Sequence, residues 1–133
     1  MILLDTSALI DLLANKDKAV KVLTRYKNDP LSISVITWAE LQIGFLYFTS
    51  KKQEKARKKL EELIEGGILE ILDITRPVAL QYASLQTVLL KIGKPIASFD
   101  GLIAATALSY NYTLITSDAS FKRIPKLKSI FLL

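Results

Sequence analysis

The sequence predicts an α/β fold with a mainly parallel sheet, and three observations carry that reading. Short apolar runs such as Ile2-Leu3-Leu4 and Tyr112-Thr113-Leu114-Ile115 alternate with longer stretches of helical periodicity. Each of these two runs ends at once in polar residues, Asp5-Thr6-Ser7 in the first and Thr116-Ser117-Asp118 in the second. Strands separated by helical segments need crossover connections, and the simplest way to make them is a sheet covered by helices on both faces.

The first strand is expected over 2–5, followed by helices over 6–14 and 17–28 and a strand, Leu-Ser-Ile-Ser-Val, over 31–35. An apolar helix over 36–48 leads to a charged one over 51–65, which Gly66-Gly67 stops. A strand over 68–72 precedes helices over 75–92 and 98–110, a strand over 113–116 and a last strand over 129–132. There is no internal repeat and no low-complexity linker, so residues 1–133 are read as one domain.

Composition removes several kinds of chemistry. Without cysteine there is no disulfide, thiol nucleophile or thiolate zinc site, and without histidine the usual neutral-pH general base is missing. Hydrolysis would have to run on carboxylates, lysines, hydroxyls or a metal. The five glycines form neither a dinucleotide fingerprint nor a P-loop. No apolar run approaches the roughly 18 residues of a membrane span, and Asp5 and Asp11 interrupt the opening apolar run in a way that does not suit a signal peptide. A cytoplasmic location is expected. The net charge of +5 favours a polyanionic partner. Much of it lies in the 51–65 helix and in Lys122, Arg123, Lys126 and Lys128, and each stretch fits ordinary surface solubility equally well.

Four carboxylates, Asp5, Glu40, Asp100 and Asp118, lie beside these apolar runs or on an adjoining helix. Each has a simpler explanation. Asp5 can cap the following helix, Asp118 can serve a turn, and Asp100 suits the first turn of a helix capped by Ser98. Glu40 resists one, because its helical neighbours Ile36, Ile43, Gly44 and Tyr47 form an apolar face. Asp11, Asp17 and Asp29 are read as structural, and Asp73 as a turn residue before Thr75-Arg76-Pro77. If the four converge, charges about 5 Å apart repel by roughly 3 kcal/mol per pair at an effective dielectric near 20. A divalent cation relieves that repulsion, and Mg²⁺ or Mn²⁺ suits an all-carboxylate site.

Four blocks together resemble a known family: Leu4-Asp5-Thr6-Ser7-Ala8-Leu9-Ile10; Ser34 to Leu41 with Gly44; Asp100-Gly101-Leu102-Ile103-Ala104-Ala105-Thr106-Ala107; and Leu114-Ile115-Thr116-Ser117-Asp118 with Phe121. They are similar to the PIN-domain ribonucleases, and among these to the VapC toxins of toxin–antitoxin pairs, over essentially the whole chain. The resemblance implies a three-layer α/β/α sandwich with strand order 3-2-1-4-5. It also implies an acidic quartet of Asp5, Glu40, Asp100 and Asp118 that hydrolyses RNA with Mg²⁺ or Mn²⁺, whether one ion or two. Asp5, Asp100 and Asp118 would be the ligands, Glu40 would orient or deprotonate water, and Thr6, Ser7 and Thr116 would orient the ligands. Ser7 departs from the asparagine often found in the family. The same resemblance implies a homodimer and a cognate antitoxin, lying along apolar helix surfaces and reaching the acids with a basic side chain. The helix carrying Trp38, Phe45, Tyr47 and Phe48 can serve such contacts or the core. The alternatives are a PIN-domain RNA-processing nuclease without an antitoxin, and a non-catalytic α/β module that binds a nucleotide or a protein.

Overall fold

The computed structural model describes residues 1–133. Its strands are β1 (Ile2–Leu4), β2 (Leu31–Ser34), β3 (Leu69–Leu72), β4 (Thr113–Thr116) and β5 (Ser129–Phe131). They form one sheet in the order β3-β2-β1-β4-β5, with every neighbouring pair parallel. The helices are α1 (Thr6–Leu13), α2 (Asp17–Arg25), α3 (Val35–Tyr47), α4 (Lys51–Glu65), α5 (Arg76–Lys91) and α6 (Ser98–Tyr110), with a 3-10 helix over Ala119–Arg123.

Strand alternation divides the core into two layers. Ile2 and Leu4 join Ile33 and Ile115 beneath Ala8, Leu9 and Leu13 of α1, Leu23 of α2 and Leu60 of α4. Leu3 and Leu114 point to the other face, where Leu85 and Leu89 of α5 and Ile103, Ala104 and Ala107 of α6 cover them. The result is a three-layer α/β/α sandwich. α3 contributes to both layers, with Leu41 in the first and Ile36 packed against the second.

Polar residues set the element boundaries. β1 stops at Leu4 because Asp5 turns to cap α1, and β2 stops at Ser34, whose hydroxyl accepts from the Ile36 amide. Gly66 caps α4, and Gly67 follows with φ +75°, a conformation that a β-carbon disfavours. Ser98 is not the cap of α6. That position is taken by Ala97, which has no side-chain capping bond, while the Gln86 side chain pairs with both the N–H and the C=O of Ile96. Arg123 donates to the carbonyls of Lys94 (2.6 Å) and Pro95 (2.9 Å), fixing the same turn from the other side. Part of the basic excess is therefore structural. Lys122 lies over the Phe131 ring, and Arg57 pairs with Glu54 and Glu61 along α4. Asp73 is exposed after the edge strand β3, as expected of a turn residue.

Candidate active site

β1 lies between β2 and β4, so the carboxyl ends of these strands open onto one mouth at the point where the winding reverses direction. Asp5 is at its centre and is 3% exposed. Its Oδ1 accepts from the Ala8 amide at 2.8 Å, which makes it the cap of α1, and the Ser7 hydroxyl donates to the same carboxylate at 2.8 Å. The Thr116 hydroxyl donates to Oδ2. Both hydroxyls are themselves fed by backbone: Ser117 N–H donates to Ser7 Oγ at 3.0 Å, and Asp118 N–H to Thr116 Oγ1 at 2.9 Å. The helix cap and the hydroxyl bonds thus meet on one carboxylate. Ser7, where the resemblance leads one to expect asparagine, holds the acid through its hydroxyl.

Glu40 enters from α3, half-buried, with Oε1 accepting from the Thr6 hydroxyl at 2.6 Å. That hydroxyl also lies 3.2 Å from the fully buried Thr37 hydroxyl. The expectation that Glu40 sits on a core face needs correction, because Ile43 is 63% and Tyr47 78% exposed. α3 is apolar on most sides, and Thr37 and Leu41 are its buried positions. Asp118 caps the 3-10 helix through the Ser120 amide at 2.9 Å.

Asp100 stands half-buried in the first turn of α6. Its helix comes close to α5 because the next residue is glycine: a β-carbon at Gly101 would lie 2.5 Å from Tyr82 Cε1 and 3.0 Å from Ile96 Cγ2. Burial pushes the Asp100 carboxyl upward, and Asp118, Glu40 and Asp5 each push it further. Asp100 therefore feels three acids that come from three other stretches of chain. Burial also raises Asp5, against the bonds from Thr116, Ala8 and Ser7 that stabilise its charged form, and Asp118 adds to the rise. None of the four is ion-paired with lysine or arginine.

The donor set fits a hard divalent cation: unpaired carboxylate oxygens, hydroxyl-supported, with no nitrogen or sulfur ligand. As arranged, however, no three acids close into a cation cage. Repulsion computed for a mutual spacing near 5 Å therefore overstates the strain. Hydroxyl or amide partners hold Asp5, Glu40 and Asp118 in separate positions around the mouth.

Two residues of this region were not singled out from the sequence. Asp11, read as an ordinary helix-surface acid, is 6% exposed and accepts from the Ser117 hydroxyl at 2.6 Å. Their signal was the four-residue spacing from Ser7 to Asp11, which puts both on one face of α1. Burial pushes Asp11 up, but Ser117, Lys16 and Lys18 outweigh it and the carboxyl ends below the usual range.

The family model for the PIN domain matches residues 2–127. The chain is 40% identical over 102 residues to the ribonuclease VapC2 of Rickettsia felis, spanning 76% of this chain and 73% of that one. It is 36% identical to the ribonuclease VapC1 of Haemophilus influenzae, covering 95% and 93%. Among solved structures, VapBC2 of Rickettsia felis bound to a promoter DNA fragment superposes with a TM-score of 0.84 at 34% identity, over 98% of both chains. With the sheet order and the four acidic blocks in place, the chain belongs to the PIN-domain family, in its VapC branch.

Proposed function

We propose that this protein is a metal-dependent ribonuclease that hydrolyses RNA phosphodiester bonds, and that it is the toxin of a toxin–antitoxin pair. The observation that carries the reading is Asp100, half-buried at the start of α6, whose carboxyl is pushed upward by burial and then by Asp118, Glu40 and Asp5, acids that come from three other stretches of chain. Packing alone gives no reason to gather four unpaired carboxylates.

Asp5, Asp100 and Asp118 would hold Mg²⁺ or Mn²⁺, which when bound lowers the pKa of a ligated water and offsets charge on the phosphate. Asp5 is kept from rotating by Ala8, Ser7 and Thr116, so it presents a fixed oxygen to the mouth. Glu40, steadied by Thr6, faces the same mouth and takes the proton of the attacking water.

The antitoxin reading draws on a groove between α1, α3 and α4. Ile10, Leu41, Phe45 and Phe48 line it, Lys52 and Lys55 stand at its rim, and Glu40 lies in its wall. An apolar segment fits this groove, and a basic side chain at its end would reach the acids. Further apolar side chains on α5, Leu80 at 69% and Val88 at 51% exposed, suit a second copy of the chain. No helix is long and apolar enough to cross a membrane.

The test is cleavage of a panel of structured RNAs with Mg²⁺, with Mn²⁺ and in chelator. Cleavage that needs the ion and is lost in Asp5→Asn is expected. Equal cleavage by parent and variant, in preparations cleared of contaminating nuclease, overturns the assignment.

A further inference from the structure

Only two carboxylates of the molecule are buried, Asp5 and Asp11. Asp11 lies outside the acidic quartet, on the same helix. Lys16 reaches its Oδ1 at 3.2 Å and Lys18 its Oδ2 at 3.3 Å, from side chains that are 56% and 34% exposed. Burial raises this carboxyl, but the Ser117 hydroxyl and these two cations outweigh it and hold it below the ordinary carboxylate range. A charged acceptor makes a stronger hydrogen bond than a neutral one, and Asp11 spends it on the Ser117 hydroxyl.

Ser117 is a junction. It lies between Thr116, which binds Asp5, and Asp118. Its amide is held by Ser7 and its hydroxyl by Asp11, so two residues one turn apart on α1 grip it at two points. Rotation of Ser117 would loosen both relays onto Asp5, one through Ser7 and one running from the Asp118 amide through Thr116.

We propose that Asp11 is a positioning residue of the acidic mouth: through Ser117 it sets the Thr116–Asp118 segment against α1, and so the relative placement of Asp5 and Asp118. The proposal rests on the ribonuclease reading. It assigns Asp11 no contact with RNA or with the reacting atoms.

The experiment compares parent, Asp11→Ala, Asp11→Asn, Ser117→Ala and the Asp11→Ala/Ser117→Ala double variant. Three quantities are read: Mn²⁺ affinity from the free-ion resonance signal, the Mg²⁺ concentration for half-maximal RNA cleavage, and the melting temperature in chelator. Asp11→Ala and Ser117→Ala are each expected to weaken Mn²⁺ binding by about tenfold, in the range of outer-layer partners of metal ligands. The double variant should lose no more than either single one, and Asp11→Asn, which keeps an acceptor oxygen, should recover most of the affinity. A merely structural Asp11 would lower the melting temperature of Asp11→Ala while the folded protein binds Mn²⁺ as the parent does, which overturns the proposal. Additive losses in the double variant overturn action through Ser117. If Asp11→Ala does not fold, Ser117→Ala alone decides, and parental Mn²⁺ affinity in that variant overturns the link. A parent that neither binds Mn²⁺ nor cleaves RNA overturns the ribonuclease reading, and the proposal with it. A parent that does both while all variants match it overturns the positioning role alone.

Discussion

Asp5 and Asp11 stand at opposite ends of one short helix, both buried, in opposite electrostatic surroundings. Asp11 has two lysines and a hydroxyl and is held below the ordinary carboxylate range. Asp5 has two hydroxyls and an amide but no cation, feels Asp118 as a like charge, and is held above that range. The chain is rich in lysine and places it beside the acid that ties α1 to its neighbours, not beside the acids of the mouth. The fold thus supplies its own counter-ions to one buried acid and none to the other, a turn and a half away.

The largest test of this contrast is loss of activity. Asp5→Asn keeps the cap of α1, since asparagine caps as well as aspartate, but removes the charge of a proposed ligand. Metal-assisted stabilisation amounts to several kcal/mol, so RNA cleavage should fall by about two orders of magnitude or more. Single-turnover assays would show this. Asp11→Ala should lose far less, and equal losses at the two positions would erase the distinction.

Next in size is the response to the ion. Mg²⁺ or Mn²⁺ at a hundredfold excess over its dissociation constant should stabilise the parent by about 2.7 kcal/mol, seen as a rise in melting temperature. Asp100→Asn removes one like charge, so it should melt higher than the parent in chelator and gain less from metal. Identical metal-induced shifts would remove Asp100 from the cation site.

A smaller effect is expected at Gly101, where alanine would press on Tyr82 and Ile96. Overpacking costs about 1–3 kcal/mol, offset by about 1 kcal/mol of helix propensity. Gly101→Ala should therefore lower stability modestly in thermal melts and, by moving Asp100, weaken Mn²⁺ binding. Unchanged affinity would show that the close approach of α5 and α6 does not set the position of the acid.

The subtlest difference lies in pH. Asp5 and Asp100 are raised from 3.8, so the folded state binds their protons more tightly. Their favourable contribution is present below 3.8 and is lost as pH rises through their folded values. Asp11 is lowered from 3.8, so its contribution is present above that pH and is lost as pH falls through its folded value. In chelator, the advantage of Asp100→Asn over the parent should widen as pH rises, while the deficit of Asp11→Asn should close as pH falls below 3.8. Melting curves across acidic pH measure both; an Asp100→Asn advantage that shrinks as pH rises, or an Asp11→Asn deficit that grows as pH falls, would break the comparison.

Most element positions were legible because apolar runs and helical periodicity are local signals. Strand order was not, and came from resemblance alone, since nothing in the period of β4 says that it joins β1. Tertiary contacts moved other features. Gln86 and Arg123 hold the turn before α6, so the helix begins without the serine cap that local chemistry suggested. The five-residue 3-10 helix is too short to show a period. Glu40 was selected because α3 is apolar on several faces, and the sequence could not say that its neighbours Ile43 and Tyr47 face outward. Asp11 was passed over for the converse reason: a charged residue within a helix reads as surface until Lys16, Lys18 and Ser117 are seen around it.

The central strand of the sheet is the first one made, and its second neighbour, β4, is the fourth. At ordinary rates of translation, on the order of ten seconds separate the emergence of Asp5 from that of Asp118. Throughout that interval one side of β1 has no partner, Thr116 is not present to hold Asp5, and the mouth lacks a wall. A fragment released early thus carries the first acid without the segment that orients it.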